Sequence, residues 1–370
     1  LVALLGAALL GVWSARKPIA RDLVDRTLAG KGVVARYDIT YFGFRTQRLE
    51  NVVIGDPARP DLTARRIDLR FGFSSLWPAV RAIDADGVRL RGRIIVDKLS
   101  LGMLDRLMPE PTGEPFALPN LSLTLRDARM RLDTPWGALG LAMAGSGNVA
   151  NSFSGQVAAV ADGIAIGGCN ATRPTAYLHV VTVDERIAFD GPVRMVQARC
   201  GEALVQRPQA AVDVTLGPAL DRWNGGLTLA SGPLSAPGNS AKGLRGRVTF
   251  QGNAQDNEAR VRLSLAELRS SMLNGGFAGM EGTPLAPFAT ALGEASRKAA
   301  RALDIDASLH LAQEEGRQVL RIAPLELSSQ SGARLALVAN GRDGISMHFP
   351  GGAPQLAGRG TIAGGGFPDA

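Results

Sequence analysis

The chain has 370 residues, which is enough for two or three compact domains or for one elongated repetitive domain. Its 45 glycines follow no Gly-X-Y period, which excludes collagen and favours many short strands joined by turns. The formal net charge is +7, and its basic residues are mostly arginines that alternate with apolar residues. This spacing is typical of solvated strand faces rather than of one basic block.

The sequence opens with an apolar run from Leu1 to Trp13, which is shorter than the ~20 residues that span a bilayer. No small-residue cleavage site follows it, so residues 1–15 are predicted to be a transmembrane anchor whose first turns precede the given sequence. A buried core helix is the alternative. The basic residues after the run would by themselves indicate a cytoplasmic side, so a periplasmic body requires a stronger basic cluster upstream.

Residues 16–108 are predicted to form a membrane-proximal α/β cap. A short helix is expected at 19–30, where Pro18 suits the first turn and two glycines end it. Strands are predicted at 33–42, 44–54, 63–73 and 87–96, and helical segments at 74–83 and 99–108. Eleven arginines lie between Arg36 and Arg93, and we expect them to face anionic lipid headgroups.

A Pro-rich linker at 109–119 leads into residues 120–370, where apolar and polar residues alternate with a period of two. The predicted fold class is mainly β: an elongated, antiparallel, curved sheet forming a repeating groove, with short helices, preceded by the membrane helix. One amphipathic helix is expected at 287–303. The sheet is expected to continue beyond the given sequence.

The alternation predicts a sheet with one apolar and one polar face. One continuous concave apolar face is expected to be lined by Leu121, Leu123, Leu125, Val212, Val214, Leu216, Val248, Phe250, Val261, Leu263 and Leu265. The residues expected to face water are Thr124, Arg126, Asp213, Thr215, Arg260 and Arg262. Such a face would either solvate acyl chains or form an ordinary packed core, and alternation alone does not choose between them.

The sequence has no Gly-x-Ser-x-Gly elbow, Walker loop or His-Glu-x-x-His motif, so we predict neither an enzyme nor a cofactor. Cys169 and Cys200 have no Cys-x-x-Cys partner and the three histidines are scattered, so we predict no metal site. An even pair of cysteines indicates one disulfide in an oxidising compartment and two buried thiols in a reducing one. Their placement beside Gly168 and Gly201 leads us to predict the disulfide.

Several segments follow a known layout. After the N-terminal helix come Tyr37-Asp38-Ile39-Thr40, the segments 49–55, 62–69 and 87–92, and the hairpin 121–145 with its turn at 133–137. This order resembles the start of the AsmA-like envelope proteins, most closely the YdbH branch. The hairpin, and Cys169 paired with Cys200 around an alternating segment, look like that family's repeat. The family's chains are far longer, so the resemblance implies an N-terminal part.

The resemblance implies a single-pass inner-membrane protein whose body is periplasmic and conducts phospholipids between the inner and outer membranes. Implied partners are phospholipids, the inner membrane and an outer-membrane protein or lipoprotein at the distal end, and not nucleic acid. An envelope scaffold or assembly factor for outer-membrane or secreted proteins is the first alternative. The second is a polyanion-binding module, against which basic and aromatic residues are not interleaved on one platform.

Overall fold

The chain is built almost entirely of β-strands in the part that its computed structural model describes. That part comprises residues 28–43, 45–74, 77–95, 98–107, 116–270, 302–314, 317–329, 334–338, 344–349, 355–359 and 361–365. The mainly β, curved, antiparallel fold that the alternation predicts is confirmed. In these residues there is no helix long and apolar enough to cross a membrane. The predicted anchor and most of the predicted helices at 19–30 and 287–303 fall outside them.

The strands of the first half are β1 (Ala35–Phe42), β2 (Thr46–Asp56), β3 (Arg59–Ser74), β4 (Trp77–Asp86), β5 (Arg89–Ile95), β6 (Lys98–Ser100), β7 (Ser122–Thr134), β8 (Gly137–Asn148), β9 (Ser154–Val160), β10 (Gly163–Ile166), β11 (Cys169–Thr172), β12 (Thr175–Val183), β13 (Arg186–Arg194) and β14 (Gln197–Cys200). Those of the second half are β15 (Ala203–Gln206), β16 (Gln209–Leu216), β17 (Arg222–Ser231), β18 (Leu234–Ala236), β19 (Asn239–Ala241), β20 (Gly243–Asn253), β21 (Asp256–Ala266), β22 (Arg269–Ser270), β23 (Ala302–Glu314), β24 (Arg317–Ser329), β25 (Arg334–Val338), β26 (Gly344–Phe349), β27 (Gln355–Arg359) and β28 (Thr361–Gly365). One 3-10 helix, Gly102–Leu107, follows β6.

The chain divides into two units. The first comprises Leu1–Asp162 and Ala176–Ile187, and the second Gly163–Thr175 and Ala188–Ala370. The Pro-rich linker at 109–119 therefore lies within the first unit and does not separate the two.

The first unit begins with the antiparallel meander β1–β2–β3, whose inward residues form a packed core. Tyr37, Val52 and Ala64 are buried at its centre, and Leu28 packs against them from the helical residues 28–30. After β3 the pairing changes: β7 runs parallel to both β4 and β5, and then pairs antiparallel with β8. Chain segments on both sides of the linker therefore share one sheet.

Two of the predicted helical segments need correction. Ser74 and residues 77–83, the described part of the helix predicted at 74–83, lie in strands, because β4 pairs with β3 from Ser74↔Trp77 to Arg66↔Asp86. Pairing with an existing strand outweighs the weak local helix preference of this segment. The helix predicted at 99–108 is the 3-10 helix Gly102–Leu107, preceded by strand β6.

The second unit contains a main sheet in which β16, β17, β20, β21, β23 and β24 pair antiparallel in that order. Strand β24 then pairs with β25 at one end and with β26 at the other. Residues 302 and 303, placed at the end of the predicted helix 287–303, instead begin β23.

A second, narrow sheet in this unit has the strand order β10–β11–β14–β15–β18–β19–β22. Several of its strands continue strands of the main sheet across a break of one or two residues: β15 precedes β16, β18 follows β17, and β22 follows β21. Two of these breaks contain a non-glycine residue in the left-handed region, Arg207 (φ 46°) and Glu267 (φ 47°). The register is the same on both sides of these breaks, as Val205↔Leu234 and Gln209↔Ala230 show, so no strand gains a residue there.

Candidate functional site

Apolar residues of the second unit form one continuous face of its main sheet. Because directly paired residues of antiparallel strands share a face, the register identifies whole rows of side chains. One row is Val212, Leu227, Val248, Val261, Ala307 and Leu325, and the next is Val214, Gly225, Phe250, Ala259, Leu309 and Ile322. A further row is Ala210, Leu229, Gly246, Leu263, Ile305 and Leu327. The face thus extends across six strands.

The side chains of this apolar face are partly buried and partly exposed to solvent. Along β21, half-buried Ala259, Val261 and Leu263 alternate strictly with exposed neighbours. In the described residues of the second unit only Ala241, Ala307 and Val319 are buried. A packed core would bury most side chains of its apolar rows, so these described residues form an open apolar surface rather than a closed interior.

The main sheet bends toward this face at glycines. A Cβ added to Gly225 would lie 2.9 Å from the Cα of Val214 and closer still to the carbonyl oxygen of Asp213. A Cβ on Gly246 would lie 3.0 Å from the Cα of Leu263 in the next strand. On the opposite face a Cβ at Gly226 would meet nothing within 3.6 Å. These close approaches occur on the apolar side, and only glycine fits there without a shift of the neighbouring backbone.

The opposite face carries a network of charges. Arg260 and Arg262 of β21 contact Asp306 of β23 at 3.0 and 3.1 Å. The Arg260 hydrogen bond, with a further one from Arg262, holds the pKa of Asp306 below its ordinary value. Arg247 of β20 lies directly opposite Arg262. All of these side chains are at least a third exposed. The network therefore lies on the surface, in contact with solvent.

Three shallow hollows of about 470, 550 and 610 Å³ occur on the main sheet of the second unit. Their walls come mainly from the polar face, among them Thr249, Arg260 and Glu326. Polar residues such as Asp213, Asn224 and Arg247 are prominent in the lining of the largest of the three. The hollows are therefore poor sites for an acyl chain, and the apolar face is an open trough rather than a pocket.

The predicted lining residues are divided between the two units. Val212, Val214, Leu216, Val248, Phe250, Val261, Leu263 and Leu265 lie on the apolar face of the second unit. Leu121, Leu123 and Leu125 lie in the first unit, where β7 pairs Leu123 with Ile83 and Leu125 with Ala85. Leu121 precedes the first residue of β7. Of the residues expected to face water, Thr124 and Thr215 are half-buried and the arginines and Asp213 are exposed.

Sequence reasoning missed several members of the apolar face. Ile305, Leu309 and Leu311 occupy β23, and Trp223 pairs with Leu216 at the end of β17. The signal was present, because residues 303–311 alternate with the same period of two. The indole Nε1 of Trp223 donates to Asn257 Oδ1 at 2.9 Å, which satisfies its polar atom at the end of the apolar rows.

Cys169 and Cys200 are joined by a disulfide in the narrow sheet of the second unit. They are directly paired residues of β11 and β14. Cys200 is exposed and Cys169 half-buried. Among the described residues there is no group of three or more His, Cys, Asp or Glu side chains that could hold a metal ion.

Comparison with known proteins gives one match. The family model described as "YdbH-like: Intermembrane phospholipid transport protein YdbH" matches residues 3–368. No curated protein and no solved structure shows a significant match to the chain.

Proposed function

The chain belongs to the YdbH-like family of intermembrane phospholipid transport proteins, and from this premise we propose that the concave apolar face of its second unit carries phospholipid acyl chains between two membranes. The body of the protein is periplasmic in this proposal, and a single pass through the inner membrane anchors it. The observation that carries the proposal is the half-buried apolar face, continuous over six strands and open in the described residues.

An open trough of this kind suits a passing lipid. Each methylene transferred from water to an apolar surface contributes roughly 0.8 kcal/mol, so an acyl chain gains substantially by lying along the rows. The rows contain Leu, Val, Ala and Gly without a deep pocket that would hold one particular molecule. The headgroup can remain in water at the open side. The arrangement therefore favours lipid movement along the face over tight binding at one point.

The proposal predicts that a charge on the apolar face removes bound lipid without unfolding the protein. In the variant Leu263→Glu, lipid recovered from the purified protein should fall severalfold by mass spectrometry, because a carboxylate repels acyl chains. Its unfolding temperature should fall by about 2–4 °C at most, corresponding to ~1 kcal/mol. An open face tolerates a charge that a closed core would not.

The matched control is Thr249→Glu, which places the same charge on the opposite face, directly across from Arg260. It should retain bound lipid. If Leu263→Glu unfolds outright, the face is a closed core and lipid conduction loses its physical basis. If both variants fold and the wild-type protein never carries lipid, the scaffold or assembly function is favoured instead.

A further inference from the structure

Arginines crowd together on two parallel strands of the first unit. The register places Arg89 beside Arg129, Arg91 beside Arg131, and Arg93 beside Asp133 at the end of the row. Like charges directly opposite each other on neighbouring strands are destabilising. Such pairs are relieved by a nearby carboxylate, by water or by an external anion, so the carboxylates around them and the surface beside them decide which applies.

Only part of this charge is compensated within the protein. Asp127 contacts Arg89 at 2.7 Å and Arg129 at 3.2 Å, and the Arg89 hydrogen bond lowers the pKa of that carboxyl. Arg131 contacts Asp133 at 3.1 Å. Arg91 and Arg93 are exposed and have no ion pair or side-chain hydrogen bond among the described residues. Positive charge thus remains, and it is concentrated toward the ends of β5 and β7.

Exposed apolar side chains lie where these two strands end. Because β5 and β7 are parallel, the β5–β6 hairpin and the β7–β8 turn lie side by side where the two strands end. This end of the strands is here called the β5–β7 edge. Ile95 and Leu99 in the hairpin are 52% and 56% exposed, and Trp136 in the turn is 40% exposed. Tryptophan and aliphatic tips beside basic residues are typical of surfaces that enter a membrane interface.

The chain also enters the first unit at this edge. Arg106, in the 3-10 helix that follows β6, donates a hydrogen bond to the carbonyl oxygen of Gly32. The same helix is tied to the start of β3, since the backbone N–H of Met103 donates to Asp61 Oδ2 at 2.9 Å. The described chain begins at Leu28, four residues before Gly32, and the N-terminal apolar run precedes it in sequence.

We propose that the β5–β7 edge docks on an anionic lipid membrane. Ile95, Leu99 and Trp136 enter the headgroup layer, and the arginines behind them contact lipid phosphates. Docking holds the first unit against the bilayer surface where lipids would enter. The inference deepens the proposed function and rests on it for the choice of a membrane as the partner, but not for the apolar face of the second unit.

The test uses the full chain reconstituted into vesicles, with a polarity-sensitive fluorophore on one added cysteine. The described cysteines are both in the disulfide, so the added thiol is the one to be labelled. Leu99→Cys reports on the docking edge. Tyr41→Cys is the matched control, because Tyr41 is 54% exposed and lies at the opposite edge, where β1 ends. Vesicles contain phosphatidylcholine with or without phosphatidylglycerol.

We expect the label at 99 to move into the interface when phosphatidylglycerol is present and to return to water at high salt, while the label at 41 stays in water. Adding Arg91→Gln and Arg93→Gln should weaken insertion by roughly fivefold per arginine. Equal responses of the two labels, or none at 99 while lipid still co-purifies, would overturn the docking inference alone. Tighter binding of a DNA duplex than of anionic vesicles would identify a nucleic-acid surface instead.

Discussion

At the residue scale, ion pairs across neighbouring strands stabilise the polar face. Asp306 is the clearest case, since two arginines of β21 converge on it from one side. Each pair is largely exposed, and exposed pairs contribute little individually. Their main effect is to hold the charged side chains in contact with each other on a face that stays exposed to solvent.

The lowered pKa of Asp306 predicts an acid-dependent stability. Its carboxylate stabilises the fold at pH values above the ordinary aspartate pKa of about 3.9. This stabilisation is lost as the pH falls through the lower pKa of the folded state. The variant Asp306→Asn should therefore show a flatter decline of its urea midpoint below about pH 4 than the wild type. Asp213→Asn on the same face serves as the control, and an equal flattening there would contradict the assignment.

At the element scale, the strands of the second unit pass between its two sheets without a change of register. Val205 of β15 pairs with Leu234 in the narrow sheet, and Gln209 of β16 pairs with Ala230 in the main sheet, so neither strand gains a residue at the break. Arg207 lies in this break in the left-handed region, and its backbone N–H donates to the carbonyl oxygen of Val196 at 2.8 Å. The break is therefore a local change of backbone conformation and keeps the alternation of the paired strands in step.

The left-handed backbone at position 207 predicts an unusual substitution pattern. A residue with a Cβ is destabilised by about 1–2 kcal/mol in the left-handed region, and a β-branched residue is destabilised most. Arg207→Gly should therefore leave the urea midpoint unchanged or raise it, and Arg207→Val should lower it. At Arg245, an exposed mid-strand residue of β20, the order should reverse because strands favour valine over glycine. The same order at both positions would contradict the left-handed conformation at Arg207.

At the scale of the whole molecule, the two units differ in how they bury apolar residues. The first has a packed core around Tyr37, Val52 and Ala64. The second presents its apolar rows on an open face in the described residues. The packed core of the first unit and the open apolar face of the second are each compatible with the role proposed for that unit above.

The disulfide connects the fold to the compartment in which the proposed function operates. Cys169 and Cys200 are separated by 31 residues, for which loop closure predicts on the order of 3–4 kcal/mol of stabilisation. Labelling of the unreduced, denatured protein from cells should find neither thiol reactive, because an oxidising compartment keeps the bond formed. Two reactive thiols would indicate that the body of the protein lies in a reducing compartment and would contradict the proposed periplasmic location.

The sequence by itself determined which residues can share a face. Strict alternation in β21, and glycines and turns between strands, were sufficient to predict a mainly β fold and the apolar set Val248, Phe250, Val261 and Leu263. This works because the side-chain period of a strand is two whatever the neighbouring strand is. The resemblance to YdbH-type proteins depended on the same local pattern.

Only the tertiary structure decided how strands pair and where the sheet bends. The parallel pairing of β7 with β4 and β5 brings together arginines that are about 40 residues apart, and nothing local in the sequence indicates it. Residues 77–86 became a strand because β3 offered an edge to pair with. The bends at Gly225 and Gly246 depend on the backbone of the adjacent strand. Pairing energies between distant segments decide these features, whereas local propensities amount to a fraction of a kcal/mol per residue and are readily overridden.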